Sequence, residues 1–303
     1  MKVLVLGSSG FLGSWVVHTL RKKYSNAEII ESSLSLGCDL RNYNETEILF
    51  NKSSPNFVIN CAAHVGGIQY GLNHTKDLFH DNMSMIINVF RACNKFKINR
   101  LIQPISNCAY PSHLSIYKEE EFWQGPVHDS VFTFAETRRM MLVAAKSYYL
   151  QDGLDTISIV HPNLYGPGDH FEEYRSHALG ALISKIIHAK KENKKHVTIW
   201  GSGSPIREWL FVEDAALSMV NAIDIEPYQD IINIGSGSGI SIKKLALMIK
   251  NLSDWNGEFI FDKSKIDGAL IKVIDGKKGM RLLNIDSLKP FEEGLEETIN
   301  SIY

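Results

Sequence analysis

Three glycines near the start of the chain have a spacing that suits a nucleotide cofactor. Gly7, Gly10 and Gly13 follow the apolar run Lys2–Leu6 directly and open a helical pattern. In that setting the first glycine permits a tight turn, and the second lets the backbone approach a pyrophosphate. The third allows close packing of helix against strand, and the helix amino terminus supplies N–H donors. The spacing therefore predicts a dinucleotide-binding loop, with a glycine-rich turn that holds no ligand as the alternative.

Acidic residues after the second predicted strand bear on the choice of cofactor. The strand is expected to end near Glu31-Ser32-Ser33. A carboxylate there typically bonds the adenosine ribose hydroxyls and repels a 2′-phosphate. Glu31 therefore favours NAD, although NADP is not excluded. Asp39 and Leu40 follow in a loop that could hold the adenine, and a plain turn aspartate is the alternative.

The elements that must position these residues alternate between strand and helix. Short apolar runs predict buried strands at Lys2–Leu6, Glu28–Ile30, Phe57–Asn60, Arg100–Ile105 and Thr156–Val160. Helical patterns lie between them at Leu12–Lys23, Asp77–Lys95 and Glu136–Leu150. This alternation predicts an α/β fold with a Rossmann-type, doubly wound parallel sheet. Pro104 cannot donate a ladder hydrogen bond, so it is expected to mark a strand end.

The pattern becomes looser after residue 160, which predicts a smaller C-terminal α/β lobe that binds substrate. Helices are expected near Ala178–Ala189 and at Asp214–Ile223, and strands at Val197–Trp200 and Ile231–Ile234. We expect a dinucleotide-binding domain made of residues 1–160 and about 205–236. The substrate-binding lobe would then comprise residues of about 161–204 and 237–303.

Composition and charge exclude several functions. The 303 residues are 44% hydrophobic and carry a net charge of -2, which argues against nucleic acid as a partner. No apolar run approaches the length of a membrane span, and the cytoplasm is the default location. The basic cluster Lys190–Lys195 is interpreted as a solvated loop. The four cysteines have neither zinc-site nor disulfide-framework spacing, so no metal is expected.

Five further motifs occur in a fixed order along the chain. They are AAHVGGI at Ala62–Ile68, SNCAYP at Ser106–Pro111, NLYGP at Asn163–Pro167, WGSGSPIRE at Trp200–Glu208 and GLEET at Gly294–Thr298. Together with the glycine loop they resemble the GDP-L-fucose synthases. Those enzymes are extended short-chain dehydrogenases that epimerise and reduce GDP-4-keto-6-deoxymannose. The resemblance runs nearly end to end.

The resemblance implies a role for each matching residue. Ser106 would hydrogen-bond the reacting sugar oxygen, and Cys108 and His177 would be the acid/base pair beside the 4-keto group. The nucleotide-sugar site would comprise Asn163, Lys185, Trp200, Arg207 and Asp275. The cofactor site would comprise Gly7, Ser9, Gly10, Phe11, Leu12, Gly13, Glu31, Asp39, Leu40, Ala62, Ala63, Asn82, Arg138 and Asn163.

Each role has a plainer alternative. Cys108 could be a small core residue, and His177 could be an ordinary surface histidine. Arg207 could grip a diphosphate, or it could pair with Glu208 or Glu213. The joint occurrence of the three residues in the family order favours the functional interpretation.

The sequence departs from the superfamily at one pair of positions. Related enzymes carry a Tyr-x-x-x-Lys pair on one helix face, in which Tyr exchanges a proton with the reacting oxygen and Lys bonds the nicotinamide ribose. Aligned on Ser147 and Tyr148, this chain has Phe134 at the Tyr position and Arg138 at the Lys position. Phenylalanine cannot exchange a proton, whereas arginine keeps a positive charge in a different donor shape.

Three interpretations follow from this departure. The first is an NAD(P)-dependent oxidoreductase that acts at C4 of a GDP-linked hexose, 6-deoxyhexose or heptose, with Ser106, Cys108, His177 or water as the proton carrier. The second is a C3/C5 epimerase of a GDP-4-keto sugar that uses Cys108 and His177 without net redox. The third is a homologue that binds a nucleotide sugar without turnover. By resemblance alone, a homodimer or higher homo-oligomer is expected.

Overall fold

The structure is a computed structural model that describes residues 1–171, 178–228, 230–265, 267 and 269–302. Its strands are β1 (Lys2–Leu6), β2 (Glu28–Ser32), β3 (Phe57–Asn60), β4 (Arg100–Ser106), β5 (Ile116–Tyr117), β6 (Thr156–His161), β7 (Asn163–Tyr165), β8 (His196–Trp200), β9 (Ile206–Arg207), β10 (Trp209–Phe211), β11 (Ile231–Asn233), β12 (Ile240–Ser241), β13 (Glu258–Asp262) and β14 (Ile271–Ile274). Its helices are α1 (Phe11–Lys23), α2 (Tyr43–Ser53), α3 (Ile68–Asn73), α4 (Thr75–Lys95), α5 (Phe132–Asp152), α6 (Ala178–Lys191), α7 (Val212–Asn221), α8 (Ile242–Leu252), α9 (Lys277–Leu282) and α10 (Phe291–Asn300).

A six-stranded parallel sheet organises the molecule. Its strand order is β2-β1-β3-β4-β6-β11, and every neighbouring pair is parallel. The chain moves outward from β1 in one direction to β2 and in the other to β3, so the order reverses between β1 and β3. Ligands of such sheets bind outside the carboxyl ends of the strands at this switch point. The predicted Rossmann-type fold is confirmed.

Helices cover both faces of the sheet, which explains why its strands are apolar without alternation. On one face Val16 and Leu20 of α1 pack with Met219 of α7. On the other face Phe90 of α4 packs with Met141 of α5. Helices α4 and α5 pack against each other within the second layer, and α5 also contacts β4.

Two predicted boundaries were wrong in instructive ways. The strand that contains Pro104 continues to Ser106, because Pro104 is paired with Ile159 of β6 and lies beyond the registered pairing with β3. The proline therefore breaks no ladder bond on the β3 side. Helix α5 begins at Phe132, four residues before the predicted start at Glu136, so both Phe134 and Arg138 are helical.

Smaller sheets join distant parts of the chain beside the main sheet. The order β12-β9-β14-β5 forms one of them, and within it Lys272 of β14 lies in register with Arg207 of β9. Strands β7 and β10 form a parallel pair, as do β8 and β13. Among the helices that the structure describes, none has the length and apolar character needed to cross a membrane.

Candidate active site

The glycine loop has a shape that only glycine permits at two of its three positions. Gly7 has a φ of +73°, and a Cβ there would lie 2.7 Å from the Ala62 nitrogen. A Cβ on Gly13 would lie 2.1 Å from the Gly7 carbonyl oxygen. These contacts let the loop, the β3–α3 connection and the start of α1 approach one another closely.

The same loop leaves room for a pyrophosphate. Around Gly10, a Cβ would meet only the Gly7 oxygen, at 3.2 Å, within a radius of 4 Å. Gly10 also precedes the first residue of α1, so the helix amino terminus opens onto this space. Free N–H groups, a helix dipole and an open glycine surface fit the phosphates of a dinucleotide cofactor.

Several residues predicted to contact the cofactor are placed differently. The Glu31 carboxylate bonds Arg21 of α1, and β2 ends at Ser32, within the range predicted for the strand end. Asp39 is bonded bidentately by Arg41, with Arg41 Nη2 at 2.7 Å. The Leu40 side chain is buried in the hydrophobic core. None of these contacts tests the predicted ribose and adenine roles, which stay predictions.

Hydroxyl groups stand where the acid was expected. Ser9 Oγ of the glycine loop lies 2.8 Å from Ser35 Oγ, which lies 3.0 Å from Ser33 Oγ. The Ser8 nitrogen donates to the Ser32 oxygen at the end of β2. The loop after β2 therefore presents neutral hydrogen-bonding groups to the glycine loop.

Asn82 and Arg138 were predicted to touch the cofactor, but both side chains are buried. Asn82 is 0% exposed and Arg138 is 4% exposed. The Arg138 Nη2 atom donates to Asn82 Oδ1 at 2.6 Å. Burial lowers the pKa of Arg138 to about 10, although it remains charged at neutral pH. The residues form an interior contact between α4 and α5.

One pocket of about 900 Å³ collects most of the predicted catalytic and substrate-binding residues. Its lining includes Ser106, Cys108, Phe134, Asn163, Lys185, Trp200 and Arg207. A second wall is formed by Val65–Gln69, which continues from the loop whose Ala62 contacts Gly7. The pocket therefore adjoins the segment that follows the Gly7 contact, although no residue of the glycine loop is among its lining.

Cys108 lies in the short turn after β4, next to Ser106 at the strand end. The Cys108 nitrogen donates to Ser106 Oγ at 3.4 Å. Burial raises the pKa of the Cys108 thiol, while a hydrogen bond to Ser106 and the charges of Lys272 and Arg138 act in the opposite direction. At neutral pH the group is a thiol, which can give a proton rather than take one.

Arg207 has a cationic neighbour that the sequence analysis missed. Lys272 lines the same pocket and is in register with Arg207 on the adjacent strand. Burial lowers the pKa of both cations. The charge of Arg207 lowers the pKa of Lys272 further. Motif spacing does not reveal Lys272, because it is brought beside Arg207 only by the pairing of two strands whose residues are 65 apart in the sequence.

The alternative partners of Arg207 are engaged elsewhere. The buried Glu208 carboxylate accepts hydrogen bonds from the main-chain nitrogens of Ser236, Gly237 and Ile274. Glu213 lies 4.0 Å from Lys289. Arg207 itself donates to the Ile206 oxygen at 2.8 Å. Its guanidinium is therefore available to the pocket.

An aromatic ring at the outer part of the pocket carries two lysines. Trp200 is 55% exposed, and the Lys185 and Lys265 ammonium groups lie 5.4 and 5.6 Å from its ring centroid. An exposed indole flanked by cations can stack on a nucleotide base while the cations face its phosphates. Asn163 lies deeper, where its Nδ2 donates to the Glu208 oxygen at 3.0 Å.

One predicted residue lies outside the pocket lining, and another lies outside the described residues. Asp275 accepts from the Lys277 nitrogen at 3.3 Å before α9 and is outside the pocket lining, because it follows the end of β14. Its predicted place near the nucleotide ribose stays a prediction. His177, the predicted partner of Cys108, lies outside the described residues.

Comparison with known proteins agrees with this geometry. Residues 3–235 match the model of the NAD dependent epimerase/dehydratase family. The chain belongs to this family. It is 32% identical to a probable GDP-L-fucose synthase 1 from Oryza sativa subsp. japonica, over 98% of this chain and 90% of the relative. It is therefore an enzyme of the extended short-chain dehydrogenase type.

Solved structures of family members resemble the whole chain. A GDP-L-fucose synthetase from Naegleria fowleri bound to NADP has a TM-score of 0.89 at 28% identity, covering 99% of this chain and 92% of that one. A GDP-mannoheptose C4 reductase from Campylobacter jejuni with NADP bound has a TM-score of 0.87 at 25% identity, covering 99% and 98%. Family and neighbours together indicate a nicotinamide cofactor.

Proposed function

We propose that this family member is an NADP-dependent oxidoreductase that acts at C4 of a GDP-linked keto hexose, 6-deoxyhexose or heptose. The observation that carries the proposal is the pocket in which Ser106, Cys108, Asn163, Arg207 and Lys272 meet, with a wall that continues from the segment against Gly7. The relatives named as GDP-L-fucose synthases and as a GDP-mannoheptose C4 reductase support the substrate class and the reductive direction.

The substrate would lie along the pocket from Trp200 to Ser106. The exposed Trp200 ring would stack on the base, and Lys185 would lie beside the nucleotide. Arg207 and Lys272 project from neighbouring strands, so one diphosphate can bond both cations. The sugar would then lie toward Ser106 and Cys108.

NADP is favoured over NAD by the surroundings of the glycine loop. Glu31, the acid that would repel a 2′-phosphate, is held by Arg21 instead. Ser9, Ser33 and Ser35 offer hydroxyls that can donate to phosphate oxygens. Both NADP-bound neighbours support this choice. When bound, the nicotinamide supplies or accepts a hydride.

Position 134 carries no phenol, so another group must supply the proton to the C4 oxygen. We assign to Ser106 the hydrogen bond to the C4 oxygen, with solvent as the source of the proton. The protonated Cys108 thiol can give a proton to a carbon beside the carbonyl, because a 4-keto group makes that carbon exchangeable. Cys108 therefore serves a C3 or C5 epimerisation rather than the redox step.

This position of Cys108, together with Phe134, supports a second candidate. A C3/C5 epimerase of a GDP-4-keto sugar would need the thiol and a base, for which His177 stays the prediction, and no phenol. The two candidates differ in whether the cofactor changes its oxidation state.

A turnover screen with matched nucleotides tests the proposal. GDP-mannose-derived 4-keto sugars are incubated with NADPH or NADH, and the reduced nicotinamide absorbance is followed alongside solvent deuterium uptake. The matching UDP sugars serve as the control. The proposal predicts loss of absorbance with GDP sugars and NADPH. Constant absorbance with deuterium uptake supports the epimerase, and no change in either refutes both.

A further inference from the structure

Arg138 occupies the position at which related enzymes hold the nicotinamide ribose, but its side chain is buried in the interior. It is 4% exposed, and its Nη2 atom donates to Asn82 Oδ1 at 2.6 Å. Its Nε atom is buried and has no hydrogen-bond partner among the described residues. Because burying a cation is costly, the hydrogen bond to Asn82 is what offsets part of that cost for Arg138.

Asn82 in turn holds both main-chain groups of His64. Its Oδ1 accepts from the His64 nitrogen at 3.2 Å, and its Nδ2 donates to the His64 oxygen at 2.9 Å. The same Nδ2 donates to the Leu78 oxygen at 2.8 Å within α4. Asn82 is fully buried, so these bonds are shielded from water. The oxygen that receives Arg138 is therefore the oxygen that fixes the His64 main chain.

The His64 side chain is fixed as firmly as its main chain. Nδ1 lies 2.9 Å from Asp81 Oδ2, and Nε2 lies 2.8 Å from the Tyr70 hydroxyl. The Tyr70 ring packs on Gly66, where an added Cβ would lie 2.4 Å from the ring. Arg41 bonds Asp81 at 3.1 Å and extends the network to Asp39.

The residues immediately after His64 form one wall of the pocket. Val65, Gly66 and Gly67 line it directly. We propose that Arg138 is a positioning residue that fixes the His64–Gly67 wall through Asn82, and that it does not hold the nicotinamide ribose. The inference rests on the proposed function for its substrate. It makes GDP-sugar affinity, rather than cofactor affinity, the property that depends on Arg138.

Three variants test this assignment in the full-length protein. Arg138→Met removes the charge and all the N–H donors of the side chain. Arg138→Lys keeps the charge but loses the planar set of guanidinium donors. Asn82→Ala removes the amide oxygen that accepts from both Arg138 and the His64 nitrogen. Lys146→Met is the matched control, because it removes an exposed cation from the same helix. Loss of a charge-assisted hydrogen bond predicts that Arg138→Met raises the GDP-sugar KM by about 10- to 100-fold.

The accompanying readouts separate positioning from ribose binding. The NADPH Kd should stay within about threefold in Arg138→Met, and Arg138→Lys should recover only part of the GDP-sugar KM. The double variant with Asn82→Ala should be no worse than the worse single variant, because both act through one contact. A tenfold or greater rise in the NADPH Kd with an unchanged GDP-sugar KM would overturn the proposal.

Hydrogen exchange of the amides of residues 63–68 tests the wall without any substrate. Exchange should be at least about tenfold faster in Arg138→Met and Arg138→Lys than in the wild type or Lys146→Met. Unchanged exchange would refute the positioning role. If the wild type binds neither NADPH nor GDP, the proposed function fails, while the exchange result still decides the role of Arg138.

Discussion

Replacing Lys272 by methionine should weaken GDP binding, because Lys272 and Arg207 share one diphosphate site. The two residues are in register on adjacent parallel strands, which lie about 4.8 Å apart. A charge-assisted hydrogen bond is worth about 1.5–3 kcal/mol. Removing Lys272 also relieves its repulsion by Arg207 in the free protein, which is one cause of its lowered pKa. The lower half of the range, about 1.5–2 kcal/mol, predicts a Kd about 10- to 30-fold higher.

Calorimetric titration of GDP into the wild type, Lys272→Met and Lys263→Met measures this loss. Lys263 is an exposed lysine after β13 and serves as the control. Because the pKa of Lys272 is lowered, wild-type affinity should fall as the pH rises through that lowered value, before an ordinary lysine would lose its proton. Lys272→Met should lack this fall. A GDP Kd within twofold of the wild type would refute the diphosphate assignment.

The remaining predictions concern the loop, the core and the missing phenol. Gly10→Ala should fold normally, because its Cβ meets only one atom at 3.2 Å, yet bind NADPH about tenfold more weakly by equilibrium fluorescence; unchanged binding would contradict the pyrophosphate site. Burial lowers the pKa of His161 to about 3, so stability is full above its unfolded pKa of 6.5 and is lost as the pH falls. Denaturant unfolding at pH 5.5 should show about 1.4 kcal/mol of this loss, and His161→Gln should not. Phe134→Tyr should raise single-turnover hydride transfer by about tenfold or more, because a phenol beside the pocket can protonate the oxygen; no increase would mean that another group already serves efficiently.

The fold could be predicted from sequence because its signals are local. Runs such as Phe57–Asn60 do not alternate between apolar and polar residues, so they indicate a parallel sheet covered on both faces. The three glycines predicted the first strand–turn–helix unit, because their signal is also local. Each contact of Gly7 and Gly13 is made within that unit or with the residues just after β3. The prediction for Pro104 was wrong because a strand accepts a proline where the neighbouring strand has ended. The end of that neighbour is a tertiary property, which the local sequence does not show.

The site was predictable only in part because its chemistry depends on contacts between distant segments. Cys108 and Arg207 were found through motifs, and the pocket does bring them together. Lys272 was missed, since only the pairing of β9 with β14 places it beside Arg207. The partner of Glu31 was also missed, because Arg21 lies ten residues earlier on α1 and only the packing of α1 beside β2 brings the two together. Asn82 and Arg138 were assigned to the cofactor because burial is not visible in a motif.

The most direct test of the account follows one hydrogen atom. NADPH that carries deuterium at its transferable C4 position is incubated with the enzyme and a GDP-4-keto sugar in ordinary water, and the product is analysed by NMR. The account predicts one deuterium on the sugar C4. Deuterium that remains on the cofactor, while hydrogen at the sugar C3 or C5 exchanges with solvent, would contradict it and leave an epimerase.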